Sequence, residues 1–143
     1  MIDDQKKAHI LIVDDEKHIQ EMISRNFRFE GYSVTTASNG EEALEVLKKH
    51  RIEVVISDIK MPVMDGIELL KKIRKDYQMV QVIIITGYVT MTSLLDAFRH
   101  GAYTCVFKPI KDMKELEDAV KNCVDYLKHW QKKLLELQSM KIQ

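Results

Sequence analysis

Four short apolar segments of this sequence each lead directly to polar residues that could do chemistry. In chain order these are Asp14-Asp15-Glu16 after HILIV, Asp58 after VVIS, Thr86 after VIII, and Lys108-Pro109 after TCVF. A carboxylate is costly to bury without a partner, so one at the end of an apolar run usually has a cation, a metal ion or a covalent modification beside it. The pattern therefore raises the question of what partner Asp58 has.

The residue types suggest one chemistry if the four ends meet in space. Several carboxylates in one crevice repel each other unless a cation lies between them, and oxygen ligands favour a hard ion such as Mg²⁺. With Mg²⁺ on one side and Lys108 on the other, the Asp58 carboxylate could accept a phosphoryl group as a nucleophile. Taken singly, each residue has an ordinary explanation: Asp15 as a helix N-cap, Thr86 as a strand-end residue, Lys108 as a solvated charge.

The apolar periodicity alternates between two kinds of segment, which predicts five strand–helix units. The predicted strands span residues 9–13, 32–37, 54–57, 82–85 and 104–107. The predicted helices span residues 16–30, 41–49, 66–76 and 91–100, with a long one from about 111, and Gly31 and Gly101 are natural C-caps.

These strands are short and apolar throughout, unlike those of a half-solvated antiparallel sheet. Regular alternation with helices predicts an α/β fold, a parallel sheet covered on both faces. Right-handed crossovers then bring all strand carboxyl ends to one edge, where open α/β sheets bind their ligands. We expect the function to lie on that edge.

The motifs at that edge resemble the receiver domains of bacterial two-component response regulators. They are DDE at 14–16, SDIKMPVMDG at 57–66, TG at 86–87 and KP at 108–109, across roughly residues 8–127. The resemblance implies a CheY-like, flavodoxin-like (βα)5 fold: a doubly wound five-stranded parallel sheet in the order 2-1-3-4-5, here with an extended C-terminal helix.

The resemblance also implies the activity. A sensor histidine kinase or a phosphotransfer protein would pass a phosphoryl group to this chain in a Mg²⁺-dependent reaction. The chain would then change conformation to control an output domain or a partner. It would be a signalling switch, not an enzyme beyond its self-catalysed phosphotransfer and autodephosphorylation.

Individual roles follow from the same resemblance. Asp58 would be the phosphoacceptor, Thr86 would donate its hydroxyl to a phosphoryl oxygen, and Lys108, in a usually cis bond to Pro109, would pair with the phosphoryl group. The metal ligands would be Asp15, Asp58 and the Lys60 backbone carbonyl, with Asp14 acting largely through water.

Two features depart from the family pattern. Cys105 stands where receivers usually carry an aromatic switch residue, and Tyr103, two residues earlier on the same side of the strand, could partly replace it. The switch thus involves Thr86 with Tyr103 and Cys105, or else backbone and helix-four shifts. In the family, the positions held here by Lys60 and Tyr88 flank the path of the hydrolytic water, which implies that these two residues tune the dephosphorylation rate; alternatively, both point to solvent.

The C-terminal segment carries apolar residues at steps of three and four, a heptad seam. Its members are Met113, Leu116, Val120, Cys123, Leu127, Trp130, Leu134 and Leu137. We expect a receiver domain over residues 1–127, with the first half of the seam covering the sheet. Residues 128–143 would form a helical extension, either a linker or a short coiled coil that makes a homodimer through Trp130, Leu134 and Leu137.

Composition limits the remaining possibilities. The 143 residues are 45% hydrophobic, enough for one domain, and 22 basic residues balance 22 acidic ones, which argues against direct nucleic-acid binding. Since no segment has the apolar length of a membrane span or a signal peptide, we expect a soluble cytoplasmic protein without membrane contact. Cys105 and Cys123 fit small core residues, and the five histidines fit structural or solvated positions.

Two other functions remain open from the residues. A haloacid-dehalogenase-like phosphohydrolase also uses an aspartate nucleophile and Mg²⁺, but it normally needs a second aspartate two residues later, where this chain has Lys60. A degenerate receiver serving only as a dimerisation scaffold is the other; the intact acidic cluster argues against it, and Cys105 argues for it.

Overall fold

A computed structural model describes residues 7–87 and 90–140. Strands and helices alternate through the described chain. The strands are β1 (His9–Val13), β2 (Ser33–Ala37), β3 (Val54–Ser57), β4 (Gln81–Thr86) and β5 (Thr104–Phe107). The helices are α1 (Lys17–Phe29), α2 (Gly40–Lys49), α3 (Gly66–Asp76), α4 (Met91–Arg99) and α5 (Lys114–Ser139).

The strands form one parallel sheet in the order β2-β1-β3-β4-β5. The order reverses between β1 and β3, so the carboxyl ends of these two strands lie next to each other, with Val13 paired to Ser57. The α/β class, the strand order and the long last helix are confirmed. A crevice beyond the ends of β1 and β3 is where this fold places a ligand.

Helices cover both faces of the sheet, and alternating strand residues feed two separate cores. Residues of α1 and α5 pack on one face, and residues of α2, α3 and α4 pack on the other. The first core contains Ile10, Ile12, Ile23, Phe27, Leu116 and Val120, and the second contains Leu11, Val13, Leu47, Leu69, Leu70 and Ile84.

The bounds of β1, β3, β5 and α3 match the sequence prediction, and those of the other elements differ from it by one to three residues. Strand β4 takes in Gln81 and Thr86 because both polar residues are buried in the sheet. Helix α2 begins at Gly40 because the Asn39 side chain accepts a hydrogen bond from the Glu42 amide and so caps the helix. Gly31 and Gly101 have φ values of 96° and 86°, which confirms them as helix-ending residues.

Helix α5 is 26 residues long, and its environment changes partway along. Up to Leu127 its seam residues are buried against the sheet, including Cys123, which confirms that cysteine as a core residue. Beyond that point Trp130, Leu134 and Leu137 are exposed. Within residues 7–87 and 90–140, no helix combines the length and apolar character needed to cross a membrane.

Candidate functional site

The acidic residues predicted to converge do meet at the carboxyl edge of the sheet. One carboxylate oxygen from each of four residues lies within 4.8 Å of the others, namely Asp14, Asp15, Glu16 and Asp58. Asp14 and Asp58 are buried, whereas Asp15 and Glu16 are exposed at the mouth of the crevice. We call these four residues the acidic cluster.

Lys108 reaches into the acidic cluster from the end of β5. Its Nζ donates to Asp58 Oδ2 at 2.8 Å, to Asp14 Oδ2 at 2.9 Å and to Glu16 Oε1 at 3.4 Å. The side chain is 13% exposed, and those of Asp14 and Asp58 are 0% and 9% exposed. A largely desolvated ammonium therefore bridges two buried carboxylates, and this is the cation that the opening pattern required.

Burial and charge act in opposite directions on these groups. Burial by itself lowers the pKa of Lys108, but its hydrogen bonds to Asp58 and Asp14 outweigh this and raise the pKa above its ordinary value. Burial raises the pKa of Asp14, and the bond from Lys108 and the Glu16 amide offset only part of that rise. Lys108 is consequently a cation at neutral pH, and the buried carboxyls depend on it.

The backbone around Asp58 is held on several sides. Its amide donates to the Val13 carbonyl at 3.0 Å, and its Oδ1 accepts from the Ile59 amide at 2.7 Å. The first residue of α3, Gly66, packs so closely that an added Cβ would lie 2.0 Å from the Asp58 carbonyl oxygen. Only glycine fits here, and the start of α3 therefore fixes the position of Asp58.

The loop from β3 to α3 contains a strained residue. Val63 has φ 70°, and the Met64 amide donates to the Pro62 carbonyl at 2.8 Å, which makes a γ-turn centred on Val63. This positive-φ form of the γ-turn is rare, and a β-branched residue is poorly suited to it. The loop beside Asp58 thus carries backbone strain at Val63, a residue whose side chain is mostly exposed.

The other predicted residues lie as follows. Thr86 is buried at the end of β4, where its carbonyl accepts from the Lys108 amide at 2.9 Å, and the Lys108–Pro109 bond is cis as expected. Asp15 is not the cap of α1, since that position belongs to Glu16, which makes no side-chain capping bond. Lys60 is exposed and lines a cavity with Asp15, and Tyr88 lies outside the described residues.

A cavity of about 470 Å³ lies between α4 and β5, where the switch residues were expected. Both Tyr103 and Cys105 line it, together with Leu94, Leu95 and Phe98. The Tyr103 ring also contacts that of Tyr126 on α5, with centroids 6.5 Å apart. Burial raises the pKa of the Cys105 thiol to about 11, so this cysteine is a small, uncharged filler.

Sequence reasoning missed one supporting residue, Gln20. It is buried on α1, and its side-chain amide donates to the carbonyls of Asp14 and Ala37, joining the ends of β1 and β2 behind the acidic cluster. The available signal was a polar residue on the apolar face of an amphipathic helix, next to Ile23 and Phe27.

The donor set fits a divalent cation of the hard type. All candidate side-chain ligands are carboxylate oxygens, and two of the four residues face the mouth of the crevice, where solvent has access. Mg²⁺ prefers oxygen ligands from one or two carboxylates and retains waters. The cluster is therefore compatible with Mg²⁺.

The comparison with known families decides the assignment. Residues 10–121 match the family model of the response regulator receiver domain. The chain belongs to this family. The receiver is 40% identical over 112 residues to sporulation initiation phosphotransferase F of Bacillus subtilis (strain 168), covering 78% of this chain and 90% of that protein.

Two further similarities place the receiver among regulators and solved structures. It is 38% identical over 132 residues to regulatory protein AtoC of Escherichia coli (strain K12), covering 92% of this chain but 26% of AtoC. The receiver thus spans about a quarter of that relative. The crystal structure of response regulator TrrA from Thermotoga maritima, in complex with Mg(2+)-BeF, has a TM-score of 0.74 at 36% identity, covering 82% of this chain and 99% of TrrA.

Membership of the family sets the broad function. The receiver has a phosphoacceptor role in two-component signalling and is a switch, not an enzyme in the usual sense. The phosphohydrolase alternative is not supported, because both the family match and the structural similarity point to receivers. The scaffold alternative is not favoured either.

Proposed function

We propose that Asp58 is the residue that accepts the phosphoryl group. The observation that carries this is the pairing of its Oδ2 with Lys108 Nζ at 2.8 Å, inside the acidic cluster at the switch point of the sheet. The Asp58 carboxylate attacks phosphorus, a new O–P bond forms, and the bond from phosphorus to the donor breaks. Hydrolysis later returns the carboxylate and inorganic phosphate.

Lys108 and Thr86 act on the transferred group. The transferred phosphoryl group brings about −1.5 to −2 charges to the position of the Asp58 carboxylate. The Lys108 ammonium, which neutralises that carboxylate before the transfer, then neutralises the phosphoryl oxygens. Thr86, buried at the adjacent strand end, offers its hydroxyl to one of those oxygens. The donor is a phosphohistidine of a sensor kinase or of a phosphotransfer protein.

Asp15, Asp58 and the Lys60 backbone carbonyl would hold Mg²⁺ directly, with Asp14 contributing through water. When bound, the ion supplies positive charge for the phosphoryl oxygens and helps to orient them. Support comes from the all-oxygen donor set and from TrrA, which was solved in complex with Mg(2+)-BeF.

Asp58→Asn tests the central assignment. After treatment with acetyl phosphate and Mg²⁺, intact mass spectrometry should show the added phosphoryl mass in wild type and in the control Asp76→Asn, which alters an exposed aspartate at the end of α3. The Asp58→Asn protein should show none. Equal labelling of Asp58→Asn would remove this residue from the role.

Residues 1–127 form the receiver proper, and residues 128–143 form an extension that pairs two copies. Trp130, Leu134 and Leu137 continue the buried seam of α5 onto a surface that is about half exposed in the single chain. Phosphorylation acts through Tyr103, Cys105 and the α4–β5 cavity to bias this pairing. Burial of the three side chains in the dimer contributes about 25 cal/mol per Å² of apolar surface.

Sedimentation with and without beryllofluoride, for wild type and for a chain ending at Lys128, tests the pairing. Activation should increase the mass of wild type but not that of the shortened chain. Equal dimerisation by the shortened chain would place the interface elsewhere.

Lys60 and Tyr88 tune dephosphorylation in this scheme, so Tyr88→Ala should lose its phosphoryl group faster than wild type.

A further inference from the structure

Gln20 is a buried polar residue on α1 that lies behind the acidic cluster. It is 4% exposed, on the face of the helix that packs against the sheet. Its side-chain amide donates to the carbonyls of Asp14 and Ala37, the latter at 3.1 Å, and to the Ser38 hydroxyl at 3.3 Å. A buried amide is costly unless it is hydrogen-bonded, and these bonds run to the carboxyl ends of β1 and β2, not to α1 itself. Gln20 therefore connects the helix to the ends of two strands.

The Asp14 carbonyl belongs to the peptide group that joins Asp14 to Asp15. Because a peptide group is planar, holding its oxygen sets the direction in which the chain continues to Asp15. On the other side of Asp14, its amide donates to the Ala37 carbonyl at 3.1 Å, and its Oδ1 accepts from the Glu16 amide at 2.9 Å. Within residues 7–87 and 90–140, Gln20 is the only donor to the Asp14 carbonyl, so it completes the restraint on this backbone.

The Asp15 side chain has no comparable support of its own. It is exposed, and in the described part of the chain no hydrogen bond or ion pair restrains it. By contrast, Lys108 holds the carboxylates of Asp14 and Asp58. One Asp15 oxygen nevertheless lies within 4.8 Å of those of the other cluster members. The backbone keeps it there, and a ligand that is already in position loses less conformational entropy when a metal ion binds.

We infer that Gln20 is a positioning residue for the metal ligand Asp15, an inference that rests on the proposed function. By holding the Asp14–Asp15 peptide group, Gln20 places the Asp15 carboxylate in the acidic cluster before an ion arrives, and it is not itself a ligand. Mutation of residues that orient metal ligands changes metal affinity by about 10–100-fold. The rate of phosphoryl transfer at saturating Mg²⁺ should stay within about twofold of wild type, because Lys108 and not Gln20 holds Asp58.

A purely structural role for Gln20 predicts a different result. If Gln20 only ties the ends of β1 and β2 together, its loss lowers the stability of the fold but leaves the metal affinity of the folded protein unchanged. Ser24→Ala provides the matched control, since Ser24 is 3% exposed on the same face of α1, one turn further along. Its hydroxyl bonds to no described residue, so this variant should bind metal like wild type.

Mn²⁺ is the probe, because it takes the same oxygen ligands as Mg²⁺ and its free ion is measured directly by electron paramagnetic resonance. Gln20→Met keeps the length of the side chain without the N–H donors and should raise the Mn²⁺ Kd about tenfold. Gln20→Asn, whose amide is one methylene short of the carbonyls, should raise the Kd in the same direction and replaces Gln20→Met if that variant does not fold. Labelling by acetyl phosphate should need about tenfold more Mg²⁺ in Gln20→Met and then reach nearly the wild-type rate.

A double-mutant cycle measures whether Gln20 acts through Asp15. In the Asp15→Ala protein, the further change Gln20→Met should leave the Mn²⁺ Kd unchanged, because the ligand that Gln20 positions is gone. An equal further loss there, or a wild-type Kd in every folded Gln20 variant, would overturn the inference while leaving the proposed function intact. A wild-type Kd in Asp15→Ala would instead remove Asp15 as a metal ligand, and the inference would fall with it.

Discussion

Replacing Lys108 by Met should sharply destabilise the metal-free protein. The ammonium is 2.8 Å from Asp58 Oδ2 and 2.9 Å from Asp14 Oδ2, and both carboxylates are at least nine-tenths buried. Removing one partner of a buried pair costs about 3–5 kcal/mol, because the other charge stays desolvated. We expect about 3 kcal/mol, the lower end of the range, because water reaches part of the Lys108 side chain.

Urea unfolding followed by circular dichroism, at pH 7 with a chelator, measures this loss. Lys48→Met is the matched control, since its Nζ lies 3.2 Å from Glu45 but the two side chains are 65% and 58% exposed. Exposed pairs of this kind contribute about 0–1 kcal/mol. Added Mg²⁺ should stabilise Lys108→Met more than wild type, because the ion then meets carboxylates that no ammonium neutralises.

Two results would refute this reasoning. One is a loss in Lys108→Met no larger than in Lys48→Met, which would mean that the buried carboxyls do not depend on the ammonium. The other is equal stabilisation of Lys108→Met and wild type by Mg²⁺. In that case the ammonium and the metal would not share the acidic cluster.

Three further predictions concern stability, each measured by urea unfolding. Gly66→Ala should cost about 2 kcal/mol or more by overpacking, whereas Gly87→Ala, whose Cβ would lie 3.6 Å from the Lys108 Cβ, should cost less; similar losses would contradict the tight contact at Asp58. Val63→Gly should gain about 1 kcal/mol by relieving the positive φ, and a loss would show that the γ-turn is unstrained. Burial lowers the pKa of His9, so the folded state resists protonation that the unfolded chain accepts. Wild type should therefore lose more stability than His9→Gln as the pH falls below about 6.5, and parallel curves would contradict this.

The sequence was sufficient to predict the fold and the residues that meet at the edge of the sheet. Strands buried on both faces give continuous apolar runs, and a parallel sheet aligns their ends, so Asp14, Asp58, Thr86 and Lys108 could be placed together without any knowledge of contacts. Helix ends could be predicted equally well where a glycine takes a positive φ, as at Gly31.

Features that depend on side-chain packing could not be predicted. Nothing local in the sequence shows that Lys108 bridges both buried aspartates, that Gln20 ties two strand ends together, or that Val63 takes a positive φ. Such arrangements arise from the approach of segments far apart in the chain, which periodicity does not record.

The continuity of α5 has a mechanical consequence. No glycine or proline interrupts Lys114–Ser139, and the 12 residues after Leu127 extend about 18 Å past the packed part of the helix. Such a rod is stiff in bending over this length and has no hinge at which a displacement could be absorbed. A tilt of α5 on the sheet therefore displaces the tip of the helix by a distance proportional to the length of the lever arm. Whatever is attached there is repositioned by geometry, without any local refolding of the helix.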